Sequence, residues 1–237
     1  MSKILVVLGN SYASAVEGLG EIVTDANAFL SEEHPDDYSL ILFTGGEDVT
    51  PSLYGETSPD GLCFNCEQRD AYETKIYKHA LENGIRMTGI CRGIQFLNVM
   101  AGGKMYHHVD RHTGTKHPMQ TLKQGLILVN SLHHQMVIPP EEGIIIGWAQ
   151  ERRSAQYIGD GDLKTESPEL EAEAVILPHI DAAGVQYHPE MMSKDSEGYK
   201  WFHELAKDLI ETEHFTDIID KYAGEQWDTK QLIQSAQ

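Results

Sequence analysis

The chain has 237 residues, 41% of them apolar and 23% charged, a balance suited to a globular protein with one sizeable core. It carries 18 basic and 37 acidic residues, a formal net charge of −19. That charge excludes nucleic acid and an anionic membrane surface as main partners, because both require a basic face.

Ile4 to Leu8 is a short β-branched apolar run ended by Gly9-Asn10, the pattern of a strand buried on both faces. A helix is expected over 13–30, weakened by Gly18 and Gly20. Tyr38 to Phe43 reads as a second buried strand, ended by Thr44-Gly45-Gly46. Ala71, Ile76, Ala80 and Leu81 fit a helix over 69–83, with Gly84 just past its end. Arg86 to Ile90 is a third strand, turning at Cys91 into a helix through Ala101 that stops at Gly102-Gly103. Strand and helix therefore alternate, which argues for an α/β sheet.

The second half reads as short strands at Leu126 to Val129, Gly143 to Ala149, Ala172 to Leu177 and Ala182 to Gln186. Gly159 to Asp162 is a turn, and the acidic, Pro168-containing stretch 164–173 is expected to be an exposed loop. Trp201 to Ile210 is a helix whose Trp201, Phe202, Leu205 and Leu209 belong to the core. From Glu211 the chain is polar, with Phe215, Ile218, Ile219 and Tyr222 spaced as a short amphipathic helix. Without an internal repeat or a Pro/Gly/Ser-rich linker, one domain over 1–210 and a tail over 211–237 are expected. Cys63, Cys66 and Cys91 are too few and too odd in number for a disulfide framework. The first apolar run is too short for a secretory leader, so a cytoplasmic protein with reduced thiols is expected.

The sharpest motif is Gly89-Ile90-Cys91-Arg92-Gly93, which follows a strand and opens a helix. This is a nucleophile-elbow layout with cysteine in place of serine. The glycines permit a tight turn, and the turn lifts the sulfur clear of the sheet edge. The helix N-terminus favours thiolate, and the Arg92 N–H is placed to donate to a developing oxyanion. Far down the chain, His188-Pro189-Glu190 ends another predicted strand. Residues two apart in an extended segment point the same way, roughly 6–7 Å apart. His188 and Glu190 can then act as a base and its orienting carboxylate, giving a Cys-His-Glu triad.

These motifs, together with Thr44 to Val49, Pro51, Tyr54 to Glu56, Arg69-Asp70 with Glu73, Val129 to Gln135 and Ala174 to Glu190, resemble the class I glutamine amidotransferase superfamily. Within it the chain is most similar to the γ-glutamyl hydrolase branch that includes γ-glutamyl-γ-aminobutyrate hydrolase. The resemblance implies a flavodoxin-like three-layer α/β sandwich, with a mostly parallel sheet and a smaller antiparallel extension in the second half. It implies that Cys91 forms a thioester with a γ-glutamyl amide, served by His188 and Glu190. It places the oxyanion hole at the backbone N–H groups of Gly46 and Arg92, and assigns substrate binding to Gln95, Ser131, Leu132 and His133. It implies no cofactor and no metal. Two stretches, before Gly45-Gly46 and between Gly103 and Val129, are shorter than that branch usually carries.

Other clusters have competing readings. Cys63 and Cys66 have metal-type spacing, but without two fitting further ligands they read as reduced loop thiols. His107, His108, His112 and His117 read as a solvated histidine-rich loop, or as a rim of the pocket. Asp70 and Glu73 could bind a substrate amine or lie on a solvated helix face. One of His133 and His134 is expected to face the site. Arg92 and Arg69 are expected to supply local positive potential beside an acidic protein's thiolate.

Three functions follow. The first is a glutaminase releasing ammonia for a separate acceptor synthase, expected on another polypeptide. The second is a stand-alone hydrolase of γ-glutamyl amine or peptide conjugates. The third is a catalytically silent binding protein on the same scaffold, against which the intact Cys91, His188 and Glu190 count.

Overall fold

The computed structural model describes residues 2–31, 35–58, 61–162 and 164–224. Strand β1 (Lys3–Val7) is followed by a 3-10 segment, strand β2 (Glu21–Val23) and the one-turn helix α1 (Ala26–Leu30). This corrects the single helix expected over 13–30. Gly18 takes a left-handed φ of 86°, Ile22-Val23 favours extended backbone, and Asp25 caps α1 by accepting from the N–H groups of Asn27 and Ala28. Strand β3 (Tyr38–Phe43), helix α2 (Glu67–Glu82), strand β4 (Met87–Ile90) and helix α3 (Arg92–Met100) follow as expected within two residues.

The second half contains β5 (Lys104–Tyr106), β6 (His108–Val109), β7 (Thr113–Thr121), β8 (Gly125–Leu132) and β9 (Met136–Ile138). Then come β10 (Ile144–Ala149), β11 (Tyr157–Ile158), β12 (Ala172–Leu177), β13 (Ala182–Val185) and helices α4 (Glu197–Glu211) and α5 (Phe215–Tyr222). Nine strands form one sheet in the order β2-β1-β3-β4-β13-β12-β10-β7-β8. From β2 to β13 the neighbours are parallel, and from β13 to β8 they are antiparallel. The parallel half has the flavodoxin-like order, which gathers ligand sites at the strands' carboxyl ends.

Period-two alternation puts the sheet between two cores. Ile4, Val6, Leu40, Leu42 and Val185 pack with Trp201, Phe202, Leu205 and Leu209 of α4. Leu5, Val7, Ile41 and Phe43 pack with Ile76 of α2 and Ile94 and Leu97 of α3. The short amphipathic helix expected in the tail is α5, whose Ile218, Ile219 and Tyr222 are buried in the first core; the expectation beyond residue 224 lies outside the described residues.

Strand β7, read as part of a histidine-rich loop, pairs with β8 along its length. His107, His112 and His117 are buried rather than solvated, and His107 Nε2 lies 2.9 Å from Glu56 Oε2. The exposed loop expected over 164–173 ends in two buried carboxylates, Glu171 and Glu173. These imidazoles lie beside carboxylates that share their burial, which limits the cost of taking both out of water.

Candidate active site

Cys91 stands between β4 and α3 at φ 53° and ψ −113°, a conformation a non-glycine residue holds only under constraint. Its N–H donates to Val185 O at 2.8 Å, and its carbonyl accepts from the Gln95 N–H at 3.2 Å. The turn is possible because α3 lies against the sheet. A Cβ on Gly93 would sit 2.1 Å from Phe43 O. The Arg92 N–H opens α3 and so lies outside the helix's own hydrogen-bond ladder.

His188 and Glu190 lie beyond β13, at the same carboxyl edge. Strand spacing does not bring them together; a 3-10 turn at Pro189–Met191 folds Glu190 back. Its Oε1 lies 2.7 Å from His188 Nδ1, and Cys91 is close enough to the His188 ring for the two groups to interact. Burial pulls the imidazole pKa down, but its interactions with Cys91 and Glu190 outweigh that and raise it from 6.5 to about 10.

Sequence reasoning gave no role to two residues beside this pair. Asn130 clamps the His188 backbone from both sides: its Nδ2 donates to His188 O at 2.9 Å, and its Oδ1 accepts from the His188 N–H at 2.8 Å. The signal was its place in the Val129 to Gln135 segment. Tyr12 sits with its ring centroid 6.1 Å from that of His188, its hydroxyl hydrogen-bonded to the backbone of Gly45. Burial, then Glu190 and Cys91, raise the Tyr12 pKa. No motif in the sequence marked it.

Gly46 has φ 141°, and a Cβ there would meet Arg69 Nη1 at 2.0 Å. Arg69 Nη2 donates to the carbonyls of Thr44 and Gly45, each at 3.0 Å, and Nη1 pairs with Glu47 Oε2 at 2.8 Å. Arg69 is thus the clamp of the Thr44 to Glu47 turn. Asp70 and Glu73 do not lie on a solvated helix face, which corrects that reading. They are buried and ion-paired with the guanidinium of Arg92. Arg92 is itself buried, and burial followed by repulsion from Arg69 lowers its pKa to about 10 against the pull of Asp70. Its charge is spent on two carboxylates, so it is no free source of positive potential.

Gln95 is buried, and its Nε2 donates to Gln135 O at 3.1 Å. The Ser131 hydroxyl turns away into β7's neighbourhood and donates to His112 O at 2.6 Å, while Leu132 is exposed. His133 is buried among Gln135, Gln186 and Glu173. His134 is half-buried against Asp48, 3.2 Å away. Cys63 is half-buried with its thiol on Val49 O, and burial followed by Asp48 raises its pKa to about 11, which keeps it a thiol.

Residues 32–126 match the family described as Peptidase C26. The chain is 28% identical over 184 residues to the Mycobacterium tuberculosis protein named "Putative glutamine amidotransferase Rv2859c", covering 70% of this chain and 54% of that protein. It is 30% identical over 190 residues to the Schizosaccharomyces pombe protein of the same designation, PB2B2.05, covering 71% of this chain and 68% of that protein. It therefore spans about half to two thirds of these relatives' lengths. The crystal structure of a glutamine amidotransferase from Thermotoga maritima has the same fold, with a TM-score of 0.54 at 16% identity, covering 100% of this chain and 90% of that one. On the sequence relationship to the fission-yeast protein, the chain belongs to the class I glutamine amidotransferase-like family.

Proposed function

We propose that the protein hydrolyses the γ-amide of glutamine through a thioester on Cys91 and releases ammonia to a separate acceptor enzyme. The observation that carries this reading is the meeting of Cys91 with the hydrogen-bonded pair His188 and Glu190 at the carboxyl edge of adjacent parallel strands.

In this mechanism the Cys91 sulfur attacks the γ-carbonyl carbon after its proton has passed to His188. The carbonyl π pair moves onto oxygen, facing the N–H groups of Gly46 and Arg92. Collapse of this intermediate breaks the C–N bond. His188 returns the proton to the leaving nitrogen, which departs as ammonia, leaving the thioester. Neutral His188 then takes a proton from water, the resulting hydroxide attacks the thioester, and the thiolate leaves with glutamate as product. Glu190 fixes the ring and supports the imidazolium at each stage. Gln95 and the backbone of Ser131 and Leu132 hold the glutamyl group, whereas the His133 ring, buried against Glu173 and Gln135, takes no part.

The match to Peptidase C26 favours a second reading, cleavage of γ-glutamyl amine or peptide conjugates, which uses the same residues and differs only in the departing amine. A release assay separates the two by comparing ammonia from glutamine with amine from γ-glutamyl-amine conjugates. The first reading requires measurable glutaminase turnover, alone or with an acceptor enzyme present. Negligible glutaminase beside fast conjugate hydrolysis would replace it with the second.

A further inference from the structure

Beneath the Cys91 site, the antiparallel half of the sheet encloses a polar cluster that the mechanism does not use. His112, just before β7, His117 in β7, His133, just after β8, and Glu173 in β12 are all at most 2% exposed. Three imidazole nitrogens converge on one carboxylate oxygen, Glu173 Oε1. They are His117 Nε2 at 3.0 Å, His112 Nδ1 at 3.3 Å and His133 Nε2 at 3.6 Å. None of these contacts has hydrogen-bond geometry at Glu173, and both its carboxylate oxygens lack a hydrogen-bond partner, as do His117 Nε2 and His133 Nε2.

The ring tautomers sharpen the problem. His133 Nδ1 faces Gln135 O at 2.9 Å, and a carbonyl only accepts, so the proton lies on Nδ1. Gln186 Nε2, 3.2 Å from that nitrogen, donates to the same carbonyl at 3.1 Å. His117 Nδ1 likewise faces Pro118 O at 3.2 Å. His112 turns Nε2 towards Glu171 Oε2, 3.3 Å away. The Ser131 hydroxyl near its Nδ1 gives its proton to His112 O instead. The His117 and His133 rings, with the proton on Nδ1, therefore each present a lone pair to a carboxylate oxygen that also carries lone pairs, while His112 faces Glu171 and Glu173 with its two ring nitrogens. Such a buried arrangement of acceptors suits a cation in its midst.

We propose that His112, His133 and Glu173 bind a divalent zinc ion. One ligand atom from each lies within 4.8 Å of the others. Separations near 3.3 Å are those of ligands on a tetrahedron with metal bonds of about 2.0–2.1 Å. Two imidazoles and one carboxylate suit zinc, whereas calcium and magnesium take oxygen donors. Each histidine's other nitrogen already faces a backbone carbonyl or a carboxylate, the outer-shell pattern that orients metal-bound imidazoles. His117, on the same Glu173 oxygen, is the nearest further donor for the fourth position. Glu171 and Glu173 together balance the ion's two charges. The ion fastens β7, β8 and β12 together. Through Gln186, which bonds the backbone of Gln135 beside His133, it buttresses the segment leading to His188. The ligands stand 21 and 40 residues apart in the chain, so no local motif announced them.

The test uses untagged full-length protein, dialysed against zinc and then gel-filtered, with metal measured by mass spectrometry. About one zinc per chain is expected, and removing it with a strong chelator lowers the melting temperature, which added zinc restores. Glu173→Gln and His133→Gln should each retain roughly 10-fold less zinc or lower still. Cobalt loaded into the wild-type chain should show the visible absorption of a tetrahedral site without a thiolate band, a readout that does not depend on the variants folding. Wild-type zinc content no higher than that of His133→Gln overturns the proposal. So does a cobalt–thiolate band, which would place the metal on Cys63, Cys66 or Cys91.

Discussion

Cys91, His188 and Glu190 act as one unit in the proposed chemistry, and their separate contributions can be distinguished. Cys91→Ser should abolish turnover, because the hydroxyl cannot replace the thiolate at this imidazole. Glu190→Gln should retain a measurable fraction, since Glu190 only orients and charges the base. The raised His188 pKa sets the pH dependence. An imidazolium that persists to about pH 10 places the basic limb of the kcat/KM profile there. Glu190→Gln removes the carboxylate that helps hold the proton on His188, so this limb should move to lower pH. An unmoved limb would contradict the His188–Glu190 coupling. The same shift contributes stability that is complete below pH 6.5 and lost as pH rises through about 10. Arg92 makes a different prediction. Arg92→Met leaves Asp70 buried without its cation and Glu73 with Arg69 alone, which should cost about 3–5 kcal/mol in urea unfolding. Adding Asp70→Asn and Glu73→Gln should recover much of that loss; a loss under about 1 kcal/mol for Arg92→Met alone would contradict the ion-pair account.

At the scale of elements, the elbow depends on how closely α3 approaches β3. Gly93→Ala places a methyl 2.1 Å from Phe43 O, so α3 must lift from the sheet. The expected cost is about 1–3 kcal/mol, with a fall in kcat because Cys91 moves with the helix. Thermal unfolding and steady-state kinetics on the same variant would check both; unchanged values in both would contradict the packing argument. The elements legible in the sequence were those with continuous apolar runs, such as β1, β3 and β12, because burial on both sheet faces leaves that signature. Residues 13–30 were misread because a short edge strand and a one-turn helix imitate a broken helical pattern. Strand β7 was missed because its sequence, Thr113 to Thr121, is polar and contains Pro118, and only its pairing with β8 makes it a strand. At the site, Cys91 was legible from local turn chemistry. The roles of Tyr12, Asn130 and Arg69, and the partnership of Asp70 and Glu73 with Arg92, arise from contacts between distant segments. Spacing along one chain does not encode such contacts.

For the whole molecule, the −19 charge has to coexist with the carboxylate-bearing substrate of the proposed function. Arg92 does not offset it, since its charge is already matched by two carboxylates. Local attraction for anions rests on the α3 N-terminus, the His188 imidazolium and backbone N–H groups. The remaining acidic surface repels itself. Raising salt from 0.1 M to 1 M shortens the Debye length from about 10 Å to about 3 Å. Sodium chloride should therefore raise the melting temperature by a few degrees, and a steady fall would contradict net self-repulsion. The same surface predicts that an ammonia-accepting enzyme docks through a basic face, with affinity that weakens as salt rises.

The most direct test of the central claim, that Cys91 forms a thioester with the γ-glutamyl group, is peptide mapping after reaction with 6-diazo-5-oxo-norleucine, a glutamine-like electrophile. The account predicts one adduct, on the peptide carrying Cys91, that glutamine suppresses by competition. Labelling of Cys63 or Cys66 in place of Cys91, or no adduct at all, would contradict it.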